Sequence, residues 1–256
     1  MRVFDTSGNE IMSFFPYGEG FTGGVRVDTG DINGDGILDI ITAAGPGGGP
    51  HVQVFDSRTG QLITGGLNNF YAYAPNVTTG VFVAAGDVNN DGYDDIITAP
   101  DAGGGPHVQA FSSADGSTLQ NFYAYYPNFV GGVRVESADL NQDGFADIIT
   151  VPGSSGGPHT RAFSGVDLAD LSNFFSGSPT NADGLFIAGG ISNILVENPA
   201  PTSALFTNPA ITTNTETPED ITLDNLTKKK TWQDDADEFF QSAEEIDKLF
   251  SGLGIE

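Results

Sequence analysis

The chain has no cysteine, which excludes disulfide staples and thiolate metal sites without arguing against secretion. Basic residues are scarce: 9 Lys and Arg stand against 34 Asp and Glu, for a formal charge of -25. Such a field repels nucleic acid and anionic lipid and favours a cationic partner. Apolar runs are short, far below the roughly 18 residues that span a bilayer. No charged-then-apolar leader precedes Arg2, and Arg2-Val3-Phe4-Asp5 reads as the middle of a repeat, so a fragmentary N-terminus is expected. Also missing are a His-Glu-x-x-His helix and a phosphate-cradling loop. A glycosidase needs only two facing carboxylates, but 34 acids make chance pairs uninformative. These absences point to a protein that is not an enzyme.

What is abundant is turn and strand chemistry: 35 Gly and 14 Pro interrupt short aromatic and β-branched runs, so an all-β fold is expected. The runs repeat. Gly24, Gly80 and Gly132, Asp31, Asp87 and Asp139, and His51, His107 and His159 each recur at intervals of 56 and then 52 residues (31 to 87 to 139). One unit runs from Gly23-Gly24-Val25-Arg26-Val27 through an acidic loop to Asp39-Ile40-Ile41-Thr42. It then crosses Gly45-Pro46-Gly47-Gly48-Gly49-Pro50 into His51-Val52-Gln53-Val54-Phe55 and closes on Phe70-Tyr71-Ala72-Tyr73. Four short strands in about fifty residues is the length of a β-propeller blade, which buries its apolar faces only against neighbouring blades.

Three full units are followed and preceded by partial ones. Residues 1–17 match the last two strands of a unit, and residues 184–196 the first two, with Ile191 where a fourth loop aspartate would stand. A split fourth blade closing a four-bladed ring is the expected architecture, over residues 1–197. Residues 198–230, rich in Pro, Thr and Asn, read as a linker. Residues 231–252 read as an acidic amphipathic helix, from Thr231 as N-cap to Gly252 as stop, with Trp232, Phe239, Ile246 and Phe250 on its apolar side. Packing on the blades and docking on a partner both remain open for it.

The acidic loops carry the chemistry. Each reads Asp-x-Asn-x-Asp-Gly-x-x-Asp, and calcium, a hard cation, takes six to eight oxygens of this kind from a tightly curved loop. The first loop offers Asp31, Asn33, Asp35 and Asp39 with the Ile37 carbonyl. The second offers Asp87, Asn89, Asp91 and Asp95 with the Tyr93 carbonyl, and the third Asp139, Asn141, Asp143 and Asp147 with the Phe145 carbonyl. Gly36, Gly92 and Gly144 supply the positive-φ turn. A metal-free Asx-rich hairpin is the plainer reading of one copy; three copies with the fourth acid kept favour three calcium sites. An EF-hand is excluded, since Thr42, Thr98 and Thr150 occupy its bidentate Glu position and the flanks are β-branched.

The Gly-Gly-Val-Arg-Val opening, the acidic loops and the Gly-Gly-Pro-His turns together resemble FG-GAP repeats, the family of the integrin α-subunit propeller and of many bacterial surface and secreted proteins. The resemblance covers residues 1 to about 196. It implies calcium between the first two strands of each blade and a module outside the cell, or on its surface, that adheres or binds to a protein or glycan and does not catalyse. The aromatic clusters at 70–73, 122–126 and 174–175 serve inter-blade packing or, in a lectin-like alternative, stack on sugars; a propeller hydrolase is the remaining alternative. Histidines present in every unit serve the unit, or form a ring at one face.

Overall fold

The computed structural model describes residues 1–178 and 180–188. All regular structure among them is β-strand, and no helix occurs there. A two-stranded antiparallel hairpin, β1 (Arg2–Phe4) and β2 (Glu10–Ser13), precedes three four-stranded antiparallel blades. Blade 1 holds β3 (Val25–Gly30), β4 (Asp39–Ala44), β5 (His51–Phe55) and β6 (Asn69–Tyr71). Blade 2 holds β7 (Val81–Gly86), β8 (Asp95–Pro100), β9 (His107–Phe111) and β10 (Thr118–Tyr123). Blade 3 holds β11 (Val133–Ala138), β12 (Asp147–Pro152), β13 (His159–Phe163) and β14 (Asp170–Phe175). Strand order within each blade is sequential. The propeller-like, all-β expectation holds. The linker at 198–230, the helix at 231–252 and the closure of a fourth blade through residues 189–196 lie outside the described residues.

The second strand of each blade starts Asp-Ile-Ile-Thr and is covered on both faces, which is why it reads as a near-continuous β-branched run. The cores lie between blades. Ile41, Val52 and Val54 of blade 1 meet Val81, Val83 and Ile96 of blade 2 in one cluster; Ile97, Val108 and Ala110 meet Val133, Val135 and Ile148 in the next. Each fully buried Val or Ile contributes about 1.5–3 kcal/mol relative to exposure, and much of that burial is supplied by the neighbouring blade.

Aromatic residues clamp each step. Phe14 meets Phe55 at 4.8 Å between ring centroids, Phe70 meets Phe111 at 5.2 Å and Phe122 meets Phe163 at 4.8 Å. Tyr17, Tyr73 and Tyr125 then latch onto the following blade. The Tyr73 hydroxyl lies 3.0 Å from Thr98 O and 2.7 Å from His107 O, donating to one at a time, and Tyr125 reaches Thr150 O and His159 O in the same way. Tyr17, from the β1–β2 unit, donates to His51 O at 2.9 Å, so residues 1–17 dock on blade 1 as the end of a unit should. In a strand running through residues 70–73, period-two alternation would put Phe70 and Tyr73 on opposite faces, but both pack on the same inter-blade cluster. β6 ends at Tyr71 and the chain turns at Ala72, whose N–H bonds Pro50 O, which brings both rings onto the next blade.

Glycine opens the second, third and fourth units where backbones touch. At Gly80, φ is +88° and a Cβ would fall 2.7 Å from Gly45 C and 2.8 Å from Pro46 N, both in the preceding blade's turn. Gly132 and Gly184 meet Asp101 and Gly153 likewise. Two residues beyond Gly24 and each of these glycines, Arg26, Phe82, Arg134 and Phe186 form a cation–π row. The Arg26 guanidinium lies 4.6 Å from the Phe82 ring, and the Arg134 guanidinium lies 5.6 Å from Phe82 and 3.8 Å from Phe186. Arg26 also pairs with Asp101 at 2.5 Å. Residues 184–188 thus follow the opening of a fourth unit over blade 3, without forming a strand.

Candidate metal centre

Each acidic loop joins the first strand of a blade to the second, between the cross-strand pairs Gly30–Asp39, Gly86–Asp95 and Ala138–Asp147. The three loops share one geometry. In the first, Asp31 Oδ1 and Asn33 Oδ1 both accept from Asp35 N at 3.0 Å, Asp31 Oδ2 accepts from Gly36 N at 2.8 Å, and Asp35 Oδ1 accepts from Ile37 N at 3.0 Å. Asp87, Asn89 and Asp91 repeat these bonds around Gly92 and Tyr93, as do Asp139, Asn141 and Asp143 around Gly144 and Phe145. Two left-handed residues bend each loop. Gly36, Gly92 and Gly144 were expected to; the fourth position, held by Gly34, Asn90 and Gln142, also has positive φ, between 57° and 71°. Glycine, asparagine and glutamine recurring there was the signal.

The ninth position behaves differently from the first three acids. Asp39, Asp95 and Asp147 begin the second strands and are almost wholly buried. Asp95 accepts from Val88 N at 3.0 Å and from Ser113 N at 3.1 Å, and Asp147 from Leu140 N and Gly165 N. Asp39 takes a backbone bond from Ile32, while its Oδ2 is buried with no partner. Burial pushes Asp39 up to about 6 and Asp95 up to about 7, and raises Asp147; the neighbouring loop carboxylates add to the rise in all three. Here, then, are carboxylates whose charge the fold disfavours in the absence of a cation.

The donor set fits a hard divalent ion: three carboxylates, an amide oxygen and a main-chain carbonyl per loop, with the partnerless Asp39 Oδ2 in the first. The same oxygens are engaged with backbone N–H groups, and among the described residues no group of three or more His, Asp or Glu side chains is clustered closely enough to hold a metal. An ion would therefore have to draw the loop carboxylates closer together than they stand, using second lone pairs on oxygens that already accept from backbone N–H groups. Ile37, Tyr93 and Phe145 each follow the loop glycine, and their N–H groups point to the fifth residue's carboxylate.

The loops also touch the next blade. Asp94 N donates to Asp31 O at 3.0 Å and Ala146 N to Asp87 O at 2.7 Å, while Asp31 N donates to Asp94 Oδ2 at 2.8 Å. Gly30 and Gly86, just before the loops, allow this approach, since a Cβ would fall 2.7 Å from Ala85 Cβ and 2.5 Å from Ser137 Oγ respectively.

Each histidine is engaged within its own blade. His51, His107 and His159 each bond, through Nε2, the Asn on the outer strand of the same blade: Asn69 and Asn121 at 2.6 Å and Asn173 at 2.5 Å. Each imidazole also lies against an aromatic of that strand, Tyr71, Tyr123 or Phe175, at 4.9–5.2 Å. The sequence was expected to hold no hydrolase elbow, and that expectation is wrong: Gly153-Ser154-Ser155-Gly156-Gly157 has the Gly-x-Ser-x-Gly spacing. It is the β12–β13 turn. Ser155, at φ 69°, holds the left-handed place of Gly47 and Gly103, and the His159 imidazole is committed to Asn173.

A family model for FG-GAP-like repeats matches residues 31–98 and again residues 87–150, each match running from one acidic loop through the next and into the second strand. Over these residues the chain is built of FG-GAP-like repeats, arranged as successive propeller-type blades.

Proposed function

We propose that the protein is a calcium-dependent interaction module that works outside the cell or at its surface, is not an enzyme, and uses its blades to present a binding face to a protein or glycan. One observation carries the calcium part: three loops of the same donor set and hydrogen-bond pattern stand at the blade junctions, and the first two are joined by their Asp31 and Asp87 carbonyls to the following blade. Calcium, when bound, supplies charge neutralisation to three carboxylates that otherwise repel one another. The chain's own part is to hold Asp31 and Asp87 where the loop and the next blade meet, so that ordering either loop orders a blade step. At affinities of about 0.1–1 mM, the range of extracellular calcium modules, the loops would fill outside cells and stay largely empty in cytosol. Thermal melting in 2 mM calcium, in chelator and in magnesium tests this: calcium raises the midpoint and magnesium does so less. Equal midpoints in all three would remove calcium from the account.

A second reading, carbohydrate binding, is favoured by one specific observation. Tyr71, Tyr123 and Phe175, each more than half exposed (56%, 56% and 55%), occupy the same position in successive blades, each with one ring face held against a histidine. Single flat rings flanked by an Asn amide suit sugar stacking better than a continuous protein interface. A neutral-glycan array with Tyr71→Ala/Tyr123→Ala tests it; binding unchanged by the double variant would reject the reading.

A further inference from the structure

The first acidic loop is not equivalent to the other two, and the cause is a four-residue insertion. The His51–Asn69 bond spans 18 residues, whereas His107–Asn121 and His159–Asn173 span 14. The difference between the 56- and 52-residue intervals therefore lies in the hairpin between β5 and β6. That hairpin reaches over the loop. A Cβ on its Gly66 would fall 2.8 Å from Ile32 O, and Leu67 N donates to Ser113 O of blade 2 at 2.9 Å. Its tight turn, closed by Arg58 N and Thr59 N on Asp56 Oδ1 at 2.8 and 3.0 Å, carries Arg58.

Arg58 Nη2 lies 2.9 Å from Asp35 Oδ2 and 2.7 Å from Asp56 Oδ2. In the other loops the matching oxygen meets a neutral amide: Asn89 Nδ2 donates to Asp91 Oδ2 and Asn141 Nδ2 to Asp143 Oδ2, both at 2.9 Å. The residues standing in Arg58's place, by the repeat intervals, are Ala114 and Val166. The buried ninth aspartate differs as well. Asp95 and Asp147 take Ser113 N and Gly165 N, while Asp39 Oδ2 has no partner. The first loop thus lacks a neutral donor and has gained a cation.

We propose that Arg58 is a tethered counter-ion that competes with a divalent cation for Asp35, so that the first loop fills at a higher calcium concentration than the second and third. This rests on the calcium reading given above. The second and third loops then act as standing structural sites, and the first blade step becomes the one that responds to ambient calcium. A unit positive charge sharing a carboxylate with a divalent ion, in water-like surroundings, weakens binding on the order of tenfold. A loop freed of Arg58 offers the same donor types as its neighbours and binds comparably.

The amide signals of Gly36, Gly92 and Gly144, whose N–H groups donate to Asp31, Asp87 and Asp139, report each loop separately in a calcium titration of the full chain followed by two-dimensional NMR. In the unaltered protein the Gly36 midpoint is expected at about tenfold higher calcium than the other two. Arg58→Gln is expected to bring it down to theirs, leaving Gly92 and Gly144 unmoved, while Arg58→Lys keeps it high. Gly36 saturating together with or ahead of the others, or an Arg58→Gln midpoint unchanged, overturns the competition and leaves the calcium reading intact. No calcium-dependent movement at any of the three glycines overturns both.

Discussion

Replacing Tyr73 by Phe removes one oxygen and keeps the ring. The ring packs into the blade 1–blade 2 cluster, so apolar burial is conserved and the effect isolates the latch. The lost hydroxyl stands 2.7 Å from His107 O and 3.0 Å from Thr98 O, and accepts from Thr98 Oγ1 at 3.2 Å. Burial holds its proton well above the ordinary tyrosine range, so it is a donor at every accessible pH. One net hydrogen bond contributes about 0.5–1.5 kcal/mol, and a buried carbonyl left short of a donor adds about 1–3 kcal/mol. Thr98 Oγ1 retains Gln109 O at 3.4 Å, which limits the loss, so roughly 1.5–2.5 kcal/mol is expected for the variant. Tyr71→Phe, altering an exposed tyrosine two residues away, is the control and should stay within about 0.5 kcal/mol of the parent. Urea unfolding followed by fluorescence reads both as midpoint shifts at unchanged slope. A Tyr73→Phe midpoint indistinguishable from that of Tyr71→Phe would refute the latch.

Other predictions follow from the same contacts. Gly80→Ala puts a methyl against the backbone of Gly45 and Pro46, whereas Gly24→Ala, at nearly the same φ (+79°), meets no backbone. Thermal melting should therefore show Gly24→Ala costing about 1 kcal/mol of backbone strain and Gly80→Ala distinctly more. Asp28 Oδ2 accepts from Ala85 N of blade 2 at 2.7 Å, and its pKa is raised above 3.8 by burial first and by Asp94 in addition. A carboxyl shifted upward gives stability that is full below pH 3.8 and lost as pH rises through the folded value. Asp28→Asn keeps an oxygen for Ala85 N, so at pH 7 it should melt no lower than the parent and should narrow the difference between pH 4 and pH 7; a clear loss at pH 7 contradicts this. Phe122→Ala empties the 4.8 Å contact with Phe163 and should cost about 3–5 kcal/mol by denaturant unfolding.

The period of the repeat carried most of the fold. Acidic loops, β-branched second strands and Gly-rich turns recur in the sequence at fixed intervals, and blades two and three superimpose on that period in the structure. What failed was orientation. Alternation along 70–73 assumes that the strand continues to Tyr73, but β6 ends at Tyr71 and the chain bends at Ala72 and Tyr73. Tyr17, Tyr73 and Tyr125 recur at the loop intervals, so the latch was visible as a period and not as a contact. Residue type identified Asp39, Asp95 and Asp147 as oxygen donors, yet could not tell that backbone N–H groups hold them from behind. The role of Arg58 was illegible for a different reason: it acts on a loop 23 residues away through an inserted hairpin, and no repeat of the pattern announces it.

The central claim is that the three loops are calcium sites, and ion stoichiometry tests it most directly. Calorimetric titration of the chelator-stripped full chain with calcium, repeated on Asp87→Asn/Asp91→Asn, should give three ions bound per chain in the parent and two in the variant, with the remaining affinities kept. Absence of binding heat in the parent, confirmed by equilibrium dialysis, or a stoichiometry that the double substitution leaves unchanged, would contradict the account.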